Sequence, residues 1–304
     1  MKTSSRMFAA LALTTALVAC GDDDATPTTT APGTTAPATT QAPADALRIV
    51  SLSPTHTEVL FAIGAGDLVV AVDDYSNYPP EAEAVKSALS GYEPNVEAIA
   101  EYDPDLVVIG GDFTGLTEQL AAIDIPVWSG DAPTTLDGVY AQIVELGEQV
   151  GRSDEAQIVV DDMKARIDAA VASVPDNAAG LTYYHELDDT FYSVSSTSFV
   201  GSVYSLFGLT NITEVGGVEG DYPQLSAEFI VESDPDVIFL ACTVYCSTTP
   251  ESVAARPGWE NLKAVTNARV VALNDDVVSR WGPRLVDFVE SIAAAVDAGG
   301  VSAG

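Results

Sequence analysis

The chain has 304 residues, 47% of them hydrophobic, with 12 basic side chains against 45 acidic ones and a formal net charge of −33. That length accommodates two domains of ordinary size around a substantial core. A surface so negative repels phosphate backbones and excludes nucleic acid as a partner, while it favours solubility and can steer the protein toward a basic partner.

Residues 1–19 are expected to be a signal peptide. Lys2 and Arg6 make a basic start, and the apolar stretch MFAALALTTALV is too short to cross a bilayer, which needs about twenty residues. The segment LVAC, Leu17 to Cys20, resembles the cleavage box of bacterial lipoproteins. By that resemblance Cys20 becomes the first mature residue and carries lipid on its sulfur; an ordinary secretory signal ending in Cys is the alternative. Residues 20–45 are rich in Thr, Ala and Pro and lack apolar periodicity. Such a stretch buries too little surface to offset its ordering entropy, and it reads as a tether.

From residue 46 the pattern changes. Arg48 to Leu52 (RIVSL) reads as a buried strand, and SPTHTEVLFAIGAG as a helix capped by Ser53, with Pro54 at its first position and Gly64 or Gly66 at its end. LVVAV, DLVVIG and IPVWSG read as further strands. NVEAIAEY is a short helix with Asn95 as cap, stopped at Asp103-Pro104, and TTLDGVYAQIVELGEQVG is a longer one. This alternation predicts a parallel sheet covered on both faces, an α/β lobe over 46–151. Residues 152–175 are expected to form one long helix, capped by Ser153 and ended by Pro175, with Ala156, Val160, Met163, Ile167, Val171 and Val174 at helical spacing.

Residues 176–298 repeat the grammar. TYYHE, FYSVSS, DVIFLA and RVVAL read as strands; SFVGSVYSLFGL, AEFIVES (capped by Ser226) and the tail GPRLVDFVESIAAAVDA read as helices. The two halves share more than grammar. PNVEAIAEYDPD (94–105) matches LSAEFIVESDPD (225–236) at six positions with one offset: Glu97/Glu228, Ile99/Ile230, Glu101/Glu232, Asp103/Asp234, Pro104/Pro235 and Asp105/Asp236. An internal structural repeat is the reading. Cys242 and Cys246, with three residues between them, are expected to form a structural disulfide outside the cytoplasm; a redox pair more typically has two residues between, and a zinc site needs more ligands.

RIVSLSPTHTEVLFAIGAGD, SNYPPEA, EAIAEYDPDLVVI, PGWENLKAV and SRWGPRLVDFVE together resemble a solute-binding lipoprotein of a bacterial ABC importer, of the type with a single linking helix that serves cobalamin, siderophores and haem. The resemblance is closest to cobalamin binders. It implies two Rossmann-like lobes with mainly parallel sheets, one long joining helix and a ligand cleft between the lobes. It implies capture of cobalamin or a related corrinoid outside the cytoplasm, with a ferric siderophore or haem as the alternative ligand, and delivery to a permease dimer driven by a cytoplasmic ATPase. It implies no enzymatic activity and no cofactor of its own, and a monomer held at the cell membrane by its lipid. By the same resemblance Glu97 and Glu228, one per lobe, dock onto arginine pockets of the two permease subunits; complementing a helix dipole is the plainer role. A two-lobed chelatase or reductase-like enzyme is the alternative of another class, although no G-x-S-x-G elbow, phosphate-binding glycine loop or H-E-x-x-H is present. A surface interaction protein without a small ligand is a third.

Ligands of open α/β sheets sit beyond the carboxyl ends of the strands, and lobe interfaces are favoured sites. The loops expected there carry Tyr75, Tyr78, Tyr92, Phe113, Phe199, Tyr222, Tyr245 and Trp281, and aromatics suit the broad, largely apolar face of a corrin. By the resemblance Tyr78, Tyr92, Tyr222 and the SRWG loop with Arg280 and Trp281 occupy pocket positions, and together with Phe113 they are the candidate ligand contacts; Arg284 is expected to pair with a carboxylate or cap a helix. His56 and His185 are possible axial ligands, though a lone His near a helix start is more often satisfied by backbone. Two histidines are too few for a dedicated zinc or manganese site.

Overall fold

A computed structural model describes residues 46–297. The signal peptide, Cys20 and the tether lie outside the described residues. In the first half come β1 (Ile49–Leu52), α1 (Pro54–Ala62), β2 (Val69–Val72), α2 (Val96–Ala100), β3 (Leu106–Ile109), α3 (Leu116–Ala121), β4 (Val127–Ser129) and α4 (Leu136–Gln149). Then α5 (Ser153–Ser173) runs unbroken. The second half holds β5 (Thr182–Glu186), α6 (Phe199–Ser205), β6 (Thr210–Asn211), α7 (Ile212–Val215), α8 (Ala227–Ser233), β7 (Val237–Leu240), α9 (Pro250–Ala254), α10 (Lys263–Thr266), β8 (Val270–Ala272), α11 (Asp275–Val278) and α12 (Leu285–Asp297).

The strands form two four-stranded sheets in the orders β2-β1-β3-β4 and β6-β5-β7-β8, and every pairing is parallel. Position by position the orders are the same, so the halves share one topology. The central strands β1, β3 and β7 are buried along their whole length, which is why they read as unbroken apolar runs. One face of the first sheet (Val50, Leu52, Val107, Ile109) packs on Ile99, Leu116 and Leu120. The matching face of the second (Tyr184, Ile238, Leu240) packs on Ile212, Ile230, Trp259 and Leu262. The other faces of both sheets belong to one continuous core that includes Ile143, Val160, Met163, Ile167, Phe288 and Ile292. Helix α5 therefore lies against α4 and α12 at once, and Arg166 ties it to Asp287 and Glu290 of α12.

The Asp-Pro-Asp half of the repeat has a structural cause. Asp103 and Asp234 both take left-handed backbone, φ 47° and 44°: Asp234 is the residue that ends α8, and Asp103 closes the turn that follows α2, its N–H bonding back to Ala100 O. Each following proline is buried. Asp105 then accepts the Arg48 N–H ahead of β1 at 2.8 Å, and Asp236 accepts the Thr182 N–H that opens β5 at 2.9 Å. One short motif thus stops a helix and clamps the neighbouring central strand, once per lobe.

Some expectations need correction. FYSVSS is not a strand: Tyr192 makes a single bridge to Gln224, and Phe191 has φ 67°. The hydroxyl of Ser195 accepts the Thr197 N–H and turns the chain, and the two-residue β6 takes the sheet edge instead. Helix α5 starts with Ser153 inside it; Arg152 is the residue before its first turn and no side chain caps it. Helix α1 stops as expected just before Gly64 (φ 71°), whose N–H bonds back to Phe61 O.

Candidate functional site

A cleft opens where the carboxyl ends of the strands of both lobes meet. Its first compartment, 560 Å³, is walled by Ser53 after β1, Asp73 after β2 and Gly110 after β3, with Tyr75, Tyr92 and Phe113 on the loops above. Its second, 370 Å³, is walled by Leu187 after β5, Ala241 and Cys242 after β7, and by Phe199, Val200 and Tyr222. Ala132, Tyr245, Ser279, Arg280 and Trp281 line both compartments and stand between them. Large aromatic surfaces are open to solvent here: Phe113 is 90% exposed, Tyr92 77% and Tyr245 63%. Tyr75 and Tyr92 meet edge to face at 5.7 Å.

The structure brings Tyr92, Phe113, Tyr222, Arg280 and Trp281 of the expected set to this cleft, and leaves Tyr78 out of its lining. The Tyr78 ring carries the Arg284 guanidinium 4.1 Å from its centre. Arg280 lines the cleft while its terminal nitrogens are committed within the protein. Nη1 donates to Glu58 Oε1 and Asn77 Oδ1, both at 2.9 Å, and Nη2 donates to Asp276 Oδ1 at 2.8 Å and Tyr75 O at 3.2 Å. Arg284 donates to both oxygens of the same Glu58. Trp281 Nε1–H donates to Gln142 Oε1 at 3.1 Å, which fixes the indole across the lobe boundary.

His56 accounts for the other side of that Gln142. Its Nε2 lies 3.2 Å from the same Oε1 and its Nδ1 lies 2.8 Å from Ser53 Oγ. Since Oε1 only accepts, Nε2 carries the proton and Nδ1 accepts from the serine hydroxyl. Burial lowers the His56 pKa to about 4, against a smaller opposing effect of the Gln142 bond. His185 is wholly buried, with Nδ1 2.7 Å from the Tyr204 hydroxyl, and burial lowers its pKa to about 3. Neither histidine lines the cleft, and the imidazole nitrogens that are bonded have side-chain partners, Ser53 and Gln142 for His56 and Tyr204 for His185, rather than backbone ones.

Tyr245 owes its place to a loop built twice over. The Cys242–Cys246 disulfide closes it, with Cα atoms 5.1 Å apart. Asp275 accepts the N–H groups of Thr243, Val244 and Tyr245 in succession, at 2.6, 3.0 and 3.0 Å. Burial by itself raises the Asp275 pKa, yet these bonds and the Thr243 hydroxyl hold it below the usual carboxylate value. Asp73, 1% exposed, accepts Ser76 N–H at 2.7 Å and Tyr75 N–H at 3.1 Å; burial outweighs these bonds and raises its pKa.

Asp73, Asp276 and Glu58 were not foreseen. Asp73 follows a predicted strand at its carboxyl end, and that position was the available signal. Glu58 sits in the apolar run TEVLF of α1, where an acid facing the core needs a buried cation. Glu97 and Glu228 occupy matching places, second residue of α2 after the cap Asn95 and second residue of α8 after the cap Ser226, and both are exposed.

Two lobes of one topology, a shared helix and an aromatic cleft at the strand ends define a two-lobed solute-binding protein. The comparisons with known proteins agree. Residues 49–277 match the family described as periplasmic binding protein, and the chain belongs to that family. It is 31% identical over 261 residues to a cobalamin-binding protein of Halobacterium salinarum, covering 82% of this chain and 69% of the relative. The crystal structure of the periplasmic vitamin B12 binding protein of Vibrio cholerae superposes with a TM-score of 0.68 at 28% identity, over 83% of this chain and 96% of that one. A periplasmic haem-binding protein of Roseiflexus sp. RS-1 shares the fold with a TM-score of 0.72 at 23% identity, over 83% and 98%. Family membership makes this an extracytoplasmic binding protein of the transport class rather than an enzyme.

Proposed function

We propose that the protein captures cobalamin or a related corrinoid in the interlobe cleft and presents it to the permease of an ABC importer. The carrying observation is the row of exposed rings, Tyr92 and Phe113 on one lobe and Tyr222 and Tyr245 on the other, facing the two compartments that Trp281 and Arg280 separate. Rigid aromatics bury a broad apolar ring face at small entropic cost and offer hydroxyls at its edge. The names of the relatives in Halobacterium and Vibrio support the same ligand. In this reading Tyr92, Phe113, Tyr222 and Trp281 contact the ligand, and Arg280 positions the wall more than it binds. Tyr78 acts through Arg284. Glu97 and Glu228 dock onto basic pockets of a twofold permease, Cys20 carries the lipid, and the protein works as a monomer.

Calorimetric titration of the full chain in detergent with cobalamin, cobinamide, haem and a ferric siderophore tests the ligand. Micromolar or tighter binding of a corrinoid, with haem and siderophore much weaker, is the expected result. Preference for haem or siderophore overturns it.

A further inference from the structure

The charges around the cleft bear on which ligand rims it admits. Among the described residues that line it, the acidic side chains are Asp73, Asp275 and Asp276, and the basic one is Arg280. Arg280 is 7% exposed, and each of its terminal nitrogens already donates twice within the protein. The nearby Arg284 is held by Glu58 and stacked on Tyr78. An incoming anion therefore meets no uncommitted guanidinium end, and the surrounding protein adds the field of a chain with a net charge of −33.

Asp73 is the acidic group placed to recognise a donor. Its Oδ1 takes the Tyr75 and Ser76 N–H groups, while Oδ2 lies beside Gly91, a residue of the same wall where an added Cβ would stand 3.2 Å from it. With no side chain on Gly91, that edge of the almost wholly buried carboxylate borders the compartment lined by Ser53, Gly91 and Tyr92. A primary amide on a ligand rim can donate an N–H to such an oxygen. A carboxylate there brings like charge and no donor, and both partners lose hydration without compensation.

We infer that the cleft selects by rim chemistry, admitting macrocycles edged with neutral amides and rejecting those edged with carboxylates, with Asp73 as an acceptor for a ligand amide. The inference rests on the corrinoid reading and adds its basis for discrimination. Corrinoids with intact side-chain amides fit; haem, with two propionates, does not, and neither does a corrin ring whose amides have been hydrolysed.

The test uses the full chain in detergent and one ring in two forms, dicyanocobinamide with amide side chains and dicyanocobyrinic acid with carboxylates. At low salt the amide form is expected to bind about 100-fold more tightly. Asp73→Asn, which keeps the Oδ1 acceptor, is expected to shrink that ratio about tenfold by removing the negative charge. Raising the salt should narrow the wild-type ratio, a readout that needs no variant to fold. Equal affinities, or tighter binding of the acid, overturn selection by rim charge and leave the corrinoid reading standing. A ratio unchanged in folded Asp73→Asn overturns the assignment to Asp73. Binding of neither ring overturns the corrinoid reading itself.

Discussion

Arg280 of the second lobe donates to Glu58 of the first at 2.9 Å, and both side chains are almost wholly buried. Arg284 donates to the same carboxylate, so one acid in α1 receives two guanidinium groups from the loop that precedes α12. A pair desolvated to this degree adds little over a well-packed apolar alternative, but losing one partner strands an uncompensated charge. Glu58→Ala leaves the half-buried Arg284 without its carboxylate and the buried Arg280 with Asp276 alone. It is expected to destabilise the protein by about 3–5 kcal/mol in urea denaturation. A loss near zero would show that the lobes do not depend on this contact.

The same network sets the geometry of the cleft. Trp281, next in sequence to Arg280, reaches Gln142 of α4, and Gln142 in turn is bonded to His56. Gln142→Leu removes the acceptor of both groups while roughly keeping volume. Its expected signature is a fall in corrinoid affinity of about tenfold, in line with the loss of one to two hydrogen bonds that hold a wall residue. Unchanged calorimetric affinity in the variant would remove Trp281 from the wall that matters.

How much of this was legible follows from what each feature depends on. Strands β1, β3 and β7 were readable because burial on both faces makes them unbroken apolar runs. The caps Ser53, Asn95 and Ser226 were readable because a cap is a local bond, here to the N–H three residues on for each. FYSVSS was misread because hydrophobic alternation does not distinguish a strand from a serine turn. In the cleft, the aromatics were found by the rule that ligands sit at strand ends. The role of Arg280 was not, since its partner Glu58 lies 222 positions away and no local pattern joins them. The contact of Tyr78 was hidden for the same reason: its partner is Arg284, in the other lobe.

Acid should destabilise the protein through its histidines. The folded pKa values of His56 and His185 are lowered to about 4 and about 3 from an ordinary 6.5, so the unfolded chain binds the protons first. Stability is then full above pH 6.5 and is lost as pH falls from there toward the folded values. Each proton contributes a slope of up to about 1.4 kcal/mol per pH unit. Asp275, with its pKa held down, acts in the same direction at lower pH, whereas Asp73, with its pKa raised, loses stability as pH rises above the ordinary carboxylate value. Denaturation midpoints between pH 7 and pH 4.5 should fall, and His56→Gln should flatten the curve by about one proton's worth. A variant as steep as wild type would rule His56 out as a source.

Tyr245 depends on its loop. Replacing Cys242 and Cys246 by serine opens a short ring, which costs about 2 kcal/mol on chain-entropy grounds. Asp275 still bonds three successive N–H groups, so the loop should keep its path in part and Tyr245 should lose order rather than position. Corrinoid affinity is expected to drop less in the double serine variant than in Tyr245→Ala. The opposite ranking, read by titration, would mean that the disulfide supports the cleft through something other than Tyr245.

Glu97 and Glu228, with the exposed pair Glu101 and Glu232 one turn further on, are the part of the repeat that the fold does not explain. The aspartates of the motif are consumed by structure: Asp105 and Asp236 clamp strands, Asp234 ends α8, and Asp103 closes the turn after α2. The glutamates are exposed at the second position of α2 and α8, where dipole complementation is worth a few tenths of a kcal/mol, roughly 0.3–1. So small a gain does not require the same residue in both lobes, whereas a twofold partner does require equivalent anions in equivalent places. Changing both to alanine should lower stability by less than about 2 kcal/mol and leave corrinoid affinity as it was. Uptake by cells carrying the matching permease should fall to background, with each single variant retaining part of it. Uptake undiminished in the double variant would sink the docking role, and a parallel loss of corrinoid affinity would assign the two acids to the cleft instead.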